Sequence, residues 1–452
     1  MDASIVAGFL AVCAWLGARE RREDGAEGWI LAGRTLTLPV FVASLVPTFY
    51  GGVLGIGEFT WTSGLSNWTV MALPYYAFAA VYAFFLAGRV RTQPGLTIPD
   101  HLGSAYGRPA ALLGALLVFV LASPADELLM AGSLLGHLTG LREAVASAVA
   151  AVFALAVIWR GGLRSDAATN RLQFVVMFAG FALILPFAWR AVGSPAVMAA
   201  KLPPGHLSWT GGLPPMKLAG WWLIAVWTLV DPSFHQRCAA AESPAVARRG
   251  ILISLGFWAV FDLMTTTAGL YARAVLPAVA NPTLAFPLLA DAVMPPVARG
   301  LFFAGISASL FAALQGTAVL AAACLGEGRL RAGLAATMVL SYALSRLVPS
   351  VVGLWYAVGS ATIPGLLLPM LGVYAPAIRV PGRWAFASSL GGWLVSLAWV
   401  VAARRDPAAP PPLGLEPMFP GLAVSALVWV AGYASSTRTA HIAPSSTPHA
   451  PQ

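Results

Sequence analysis

Long apolar runs alternate with short polar connections along almost the whole chain. Runs long enough to cross a bilayer predict thirteen helices, near 3–18, 37–58, 68–88, 110–139, 144–159, 171–191, 217–235, 250–274, 297–325, 330–348, 351–374, 384–403 and 418–434. The second run differs from its neighbours: Pro47, Gly51, Gly52, Gly55, Gly57 and Glu58 interrupt an otherwise apolar segment. In hydrocarbon each freed backbone group costs several kcal/mol. The composition therefore predicts a discontinuous helix that offers carbonyls and amides to a solute or ion. A tight helix crossing, with glycines permitting close approach, accounts for the same residues.

Composition agrees with a polytopic membrane protein. Of 452 residues, 58% are hydrophobic and 10% charged, with mean hydropathy +0.77, whereas soluble domains average roughly 25% charged residues. The net charge of +9 does not gather into one basic patch, which argues against a nucleic-acid partner. The basic residues lie in short loops instead. With the N-terminus outside, inner loops from Arg19–Arg34 to Arg438 hold about two thirds of the Lys and Arg. This predicts an outside N-terminus and a cytoplasmic C-terminus in a multi-pass protein of the plasma (inner) membrane. Residues 1–17 read as a first span, without the basic leading segment of a signal peptide.

Cys13, Cys238 and Cys324 are too scattered for a disulfide framework or a metal site. A Walker A sequence, a His/Cys cluster and a sizeable soluble segment are all missing from the sequence, so neither an enzyme nor a cofactor is expected.

An ordered set of short motifs carries a resemblance. Ala32-Gly33-Arg34 precedes the interrupted run. Thr97-Ile98-Pro99-Asp100 and Tyr106-Gly107-Arg108 follow in one loop. Next come Gly161-Gly162-Leu163-Arg164, then Thr169-Asn170-Arg171-Leu172-Gln173, and later Gln236-Arg237. Together they resemble the sodium/solute symporter family, which includes sodium/glucose and sodium/proline transporters.

The resemblance implies an all-α integral membrane fold of about 13 transmembrane helices. Its LeuT-type core would have two inverted five-helix repeats, with three accessory helices. Residues 1–36 would then be an accessory helix and loop, 37–191 the first repeat and 192–374 the second. Two further accessory helices would occupy 375–434, and a disordered tail 435–452. The loop Asp406 to Pro412 is expected to be unpacked.

The resemblance also implies a sodium site. Its backbone ligands fall on Pro47 and Tyr50, and its adjacent hydroxyls on the ninth span align with Ala312 and Ala313. Ser307 and Ser309 lie about a turn away and supply hydroxyls if the register shifts. The family's Thr-Asp pair before the sixth span reads Thr169-Asn170. These departures imply a weakened sodium site and leave the coupling cation, Na+ or H+, open.

Intramembrane carboxylates are functional candidates by default. Glu58 ends the interrupted run, and Asp126 and Glu127 follow Pro124 midway along the fourth span. Asp262 lies mid-way along the eighth and pairs equally well with Thr265 or Thr266. Asp231, before Pro232, also reads as a helix cap. Trp227 falls where sugar-transporting members place a gating aromatic, although an ordinary packing role fits too. Tyr75 and Tyr76 after Pro74, Ser123 and Gln315 are further substrate-binding candidates. His101, His137 and His235 read as structural. The expected function is secondary active transport of a small organic solute by alternating access. A proton-coupled or uncoupled facilitator and a transport-inactive solute sensor are the alternatives.

Overall fold

The computed structural model describes residues 1–20, 25–348, 350–405 and 411–442. Its first half contains α1 (Asp2–Arg19), α2 (Leu38–Phe49), α3 (Val53–Ser63) and α4 (Leu73–Phe85). These are followed by α5 (Ile98–Tyr106), α6 (Arg108–Leu121), α7 (Ala125–Thr139), α8 (Glu143–Ile158) and α9 (Leu163–Val192). The second half contains α10 (Pro215–Ile224), α11 (Pro232–Ala240), α12 (Pro244–Val275) and α13 (Pro296–Ala323). It closes with α14 (Leu330–Leu347), α15 (Val351–Tyr374), α16 (Gly382–Arg405) and α17 (Met418–Ile442).

Every predicted run carries a helix. Among the described residues, ten spans are long and apolar enough to cross a membrane. The other three places are taken by α8, by the α10–α11 pair and by α14. Residues 435–442, expected to begin an unstructured tail, instead continue α17 to Ile442. The chain from Tyr433 to Ala443 has neither Gly nor Pro, so nothing stops the helix before Pro444. The rest of the expected tail (443–452), residues 406–410 of the expected loop, Arg21, Arg22 and the Arg438 side chain lie outside the described residues.

Helix α13 is the axis of the molecule. Its apolar window is 78% buried against 17% for α1, and α9, α1, α2 and α14 pack around it. Where α9 crosses α13, a Cβ on Gly180 would lie 2.9 Å from the Gly305 Cα. Small residues thus bring two backbones together where lipid provides no hydrophobic drive for association. The C-terminal helices α16 and α17 pack on each other and on α15.

Several arginine-bearing loops meet on one face. Arg34 donates to the carbonyls of Gly95 (3.1 Å) and Ala239 (3.3 Å), and Arg91 donates to that of Ala241. Leu36 exchanges backbone bonds with Ala240 and Glu242, both 3.0 Å. The charge pattern that groups these loops on one side therefore corresponds to a physical cluster.

Candidate functional site

Three helices are interrupted around one cavity. Helix α2 does not unwind at Pro47; it runs to Phe49, tightens into a single 3₁₀ turn at Tyr50–Gly52, and resumes as α3. Pro47 supplies no N–H to the preceding turn, and Gly51 has no room for a side chain: a Cβ there would lie 1.9 Å from the Ala313 Cβ. The second interruption separates α6 from α7 at Ala122–Pro124. The third is the 3₁₀ turn Ala225–Leu229 between α10 and α11. There Asp231 caps α11, accepting from the amides of Ser233 (2.6 Å) and Phe234 (3.1 Å), as the Asp-Pro reading anticipated.

All three interruptions open onto one cavity of about 180 Å³. Tyr50 and Gly52 line it from the first, Ala122 and Ser123 from the second, and Trp227 from the third. Of the sequence candidates, Tyr75, Ser123, Asp126, Glu127 and Trp227 share this cavity. Asp126 accepts from Trp355 Nε1 at 2.6 Å, and the Ser123 and Ser341 hydroxyls lie 2.8 Å apart. Glu127 is only 6% exposed, and its Oε2 has no hydrogen-bond partner. The indole Nε1 of Trp227 is also buried without a partner.

Asp262 lines the same cavity, with partners other than the adjacent threonines. The hydroxyls of Tyr50 and Tyr76 both donate to its carboxylate, while Thr265 turns back to the helix carbonyls of Phe261 and Asp262. Separations of 212 and 186 residues left this trio without a local sequence signal.

Beside the cavity lies a buried ion pair. Arg237 Nη2 donates to Asp166 at 2.9 Å and to the Thr48 hydroxyl at 3.0 Å, with both charged side chains fully buried. Asn170, where the family pattern has Asp, donates to Asp166 at 3.0 Å. A carboxylate thus stands one helical turn before Asn170. The i, i+4 spacing of Asp166 and Asn170 was the available clue.

At the expected sodium-site positions, Pro47 is buried within α2 and Ala312 within α13. Ala313 faces Gly51 across the first interruption. The hydroxyl that reaches this interruption belongs to Ser309, which donates to the Tyr50 carbonyl. Ser309 and Ala313 therefore share one stripe of α13, and Thr317, a further turn on, lines the cavity. The α13 stripe consequently still presents a hydroxyl to the interruption, in the alternative register.

Two candidates lie elsewhere. Glu58 accepts from Thr283 (2.9 Å) and Ser350 (2.7 Å) and lines a separate hollow with Lys217 and Tyr356. Gln315 is buried and accepts from Thr169 at 3.3 Å, outside the cavity lining. The three histidines have local partners: Tyr374 for His101, Asp291 for His137 and the Asp231 carbonyl for His235.

This geometry accompanies clear similarity to known transporters. The high-affinity choline transporter 1 of Drosophila melanogaster is 27% identical over 217 residues, 46% of this chain and 34% of that protein. The sodium/glucose cotransporter 4 of Danio rerio is 26% identical over 369 residues, 68% of this chain and 53% of that protein. The chain thus spans about a third to a half of the length of these relatives. A Na+-coupled sialic acid symporter, solved in a substrate-bound outward-open state, superposes over 99% of both chains. Its TM-score is 0.74 at 17% identity, a likeness that establishes the LeuT-type fold. Residues 29–327 match the sodium:solute symporter family, and the chain belongs to that family.

Proposed function

We propose that this protein is a secondary active transporter of a small organic solute. The observation that carries the reading is the convergence of three interrupted helices on one cavity. Continuous helices satisfy their own backbone; interrupted ones are tolerated at membrane depth where they line a cavity. Alternating access would come from rocking one helix bundle against the other around that cavity. The relatives named above handle choline, glucose and sialic acid, so their names do not select a solute.

Sodium is the coupling ion favoured by family membership. The Tyr50 carbonyl and the Ser309 hydroxyl that meets it supply hard oxygen donors of the kind sodium takes, despite Ala312 and Ala313. The arginine-bearing loop cluster would face the cytoplasm, with the N-terminus outside, in the plasma membrane.

Solute counterflow in proteoliposomes tests this reading. Exchange of labelled solute that requires external sodium is the expected result. Exchange that ignores sodium but collapses with the pH gradient would transfer coupling to protons. Saturable solute binding without exchange would identify a sensor.

A further inference from the structure

The electrostatics of the cavity are one-sided. Asp126, Glu127, Asp231 and Asp262 line it, and among the described residues no Lys, Arg or His does. Arg237 stands beside it, outside the lining, with Nη1 and Nη2 bonded to Gln236, Asp166 and Thr48 and its Nε buried without a partner.

Local structure accounts for part of this charge. Asp231 caps a helix, and Asp262 receives two phenol hydroxyls. Asp126 receives an indole N–H, and the α7 N-terminus contributes about half a positive charge. Glu127 is buried beside the Asp126 carboxyl, and its Oε2 accepts no bond from an N–H or hydroxyl donor.

The remaining wall is aromatic, with Phe49, Tyr50, Tyr75, Trp227 and Trp355 among the lining residues. Carboxylates combined with aromatic faces form a site for an organic cation, since ring faces attract ammonium groups that strongly hydrated ions would not surrender water to reach. An anionic solute would find no cationic group with which to pair.

Resting on the transporter reading above, we propose that the solute is a small organic cation, an amine or quaternary ammonium compound. Its charge is held at Asp126 and Glu127, and its apolar body lies against the aromatic wall.

The test uses the purified full chain and its tryptophan fluorescence. It is titrated with choline, ethanolamine and methylguanidine, then with the uncharged carbon isostere of choline, and then with trimethylacetate. Saturable binding of at least one cation is expected, with the isostere and the anion at least about tenfold weaker. Glu127→Gln should weaken cation binding by about tenfold or more; if that variant does not fold, Asp126→Asn gives the same readout. The proposal is overturned if no cation binds, if the isostere binds as tightly as choline, or if trimethylacetate binds saturably. Unchanged cation binding in a folded Glu127→Gln or Asp126→Asn variant also overturns it. Counterflow separates the two readings. A bound amine that never exchanges across the liposome removes the transporter and keeps the solute class. Exchange of glucose by a protein that binds no amine removes the class and keeps the transporter.

Discussion

The hydroxyl of Ser309 donates to the Tyr50 carbonyl across the first helix interruption, joining residues 259 positions apart in sequence. A carbonyl at a tightened turn keeps a lone pair for a donor outside its own helix, and Ser309 supplies one. Ser309→Ala should therefore lower sodium-dependent counterflow by at least about tenfold while the protein still folds, the deleted bond being worth about 1 kcal/mol. Initial rates at varied sodium check this: a higher half-saturating sodium concentration is expected. Restoration of that sodium affinity by Ala313→Ser in the same chain would place the site on the Ser309–Ala313 stripe.

Tyr50 and Tyr76 hold Asp262 between them. Tyr76→Phe removes one donor and should cost about 1–3 kcal/mol. Asp262→Ala leaves two phenols without their acceptor and should cost more. Thermal unfolding in detergent gives the order; a Tyr76→Phe protein as stable as wild type would argue that the trio is not a structural clamp.

The Arg237–Asp166 pair is buried on both sides, so removal of one partner leaves an uncompensated charge. Arg237→Met should destabilise by about 3–5 kcal/mol, and adding Asp166→Leu should recover much of that loss. A double-mutant cycle measures the coupling. Additive losses would show that each residue acts through separate neighbours.

His101, in the loop helix α5, provides a pH signature. Burial holds its imidazole down to about 4 from an ordinary 6.5, so the folded protein keeps it neutral. Between pH 6.5 and 4 the unfolded chain binds the extra proton. Stability from this group is therefore complete above pH 6.5 and is lost as pH falls toward 4, by on the order of 3 kcal/mol. Melting temperatures across that window should fall less in His101→Gln than in wild type, after allowance for any constant offset.

Glu58 is tied to Thr283 and Ser350 away from the cavity. Glu58→Gln should leave solute affinity within about twofold, since neither lost bond touches the bound solute. A tenfold loss would bring the outer hollow into the transport path.

Much of the scaffold was legible because lipid imposes a simple rule: each crossing needs an apolar run of fixed length. The same rule exposed the interruption at Pro47–Glu58 and made Asp126 and Glu127 conspicuous, while Trp227 stood out only through the family resemblance. Long-range partners were not legible. Nothing in residues 70–80 announces that Tyr76 will meet Asp262. On α13, alanine, serine and glycine fill every face, so alignment alone could not decide whether Ser309 or Ala312 approaches Tyr50. Glu58 misled because nearness in sequence to the interruption differs from nearness in space: nearly two turns of α3 carry it out of the cavity.

The contact between Gly180 and Gly305 has a mechanical consequence. With no side-chain layer between these backbones, and with Phe181 packed on Phe302 at 5.1 Å just beside them, α9 and α13 have little freedom to slip. They work as a single spar. If the cavity opens to either side in turn, as proposed above, the 3₁₀ turns at Tyr50–Gly52 and Ala225–Leu229 are where the chain would bend, and the glycine contact is where it would not.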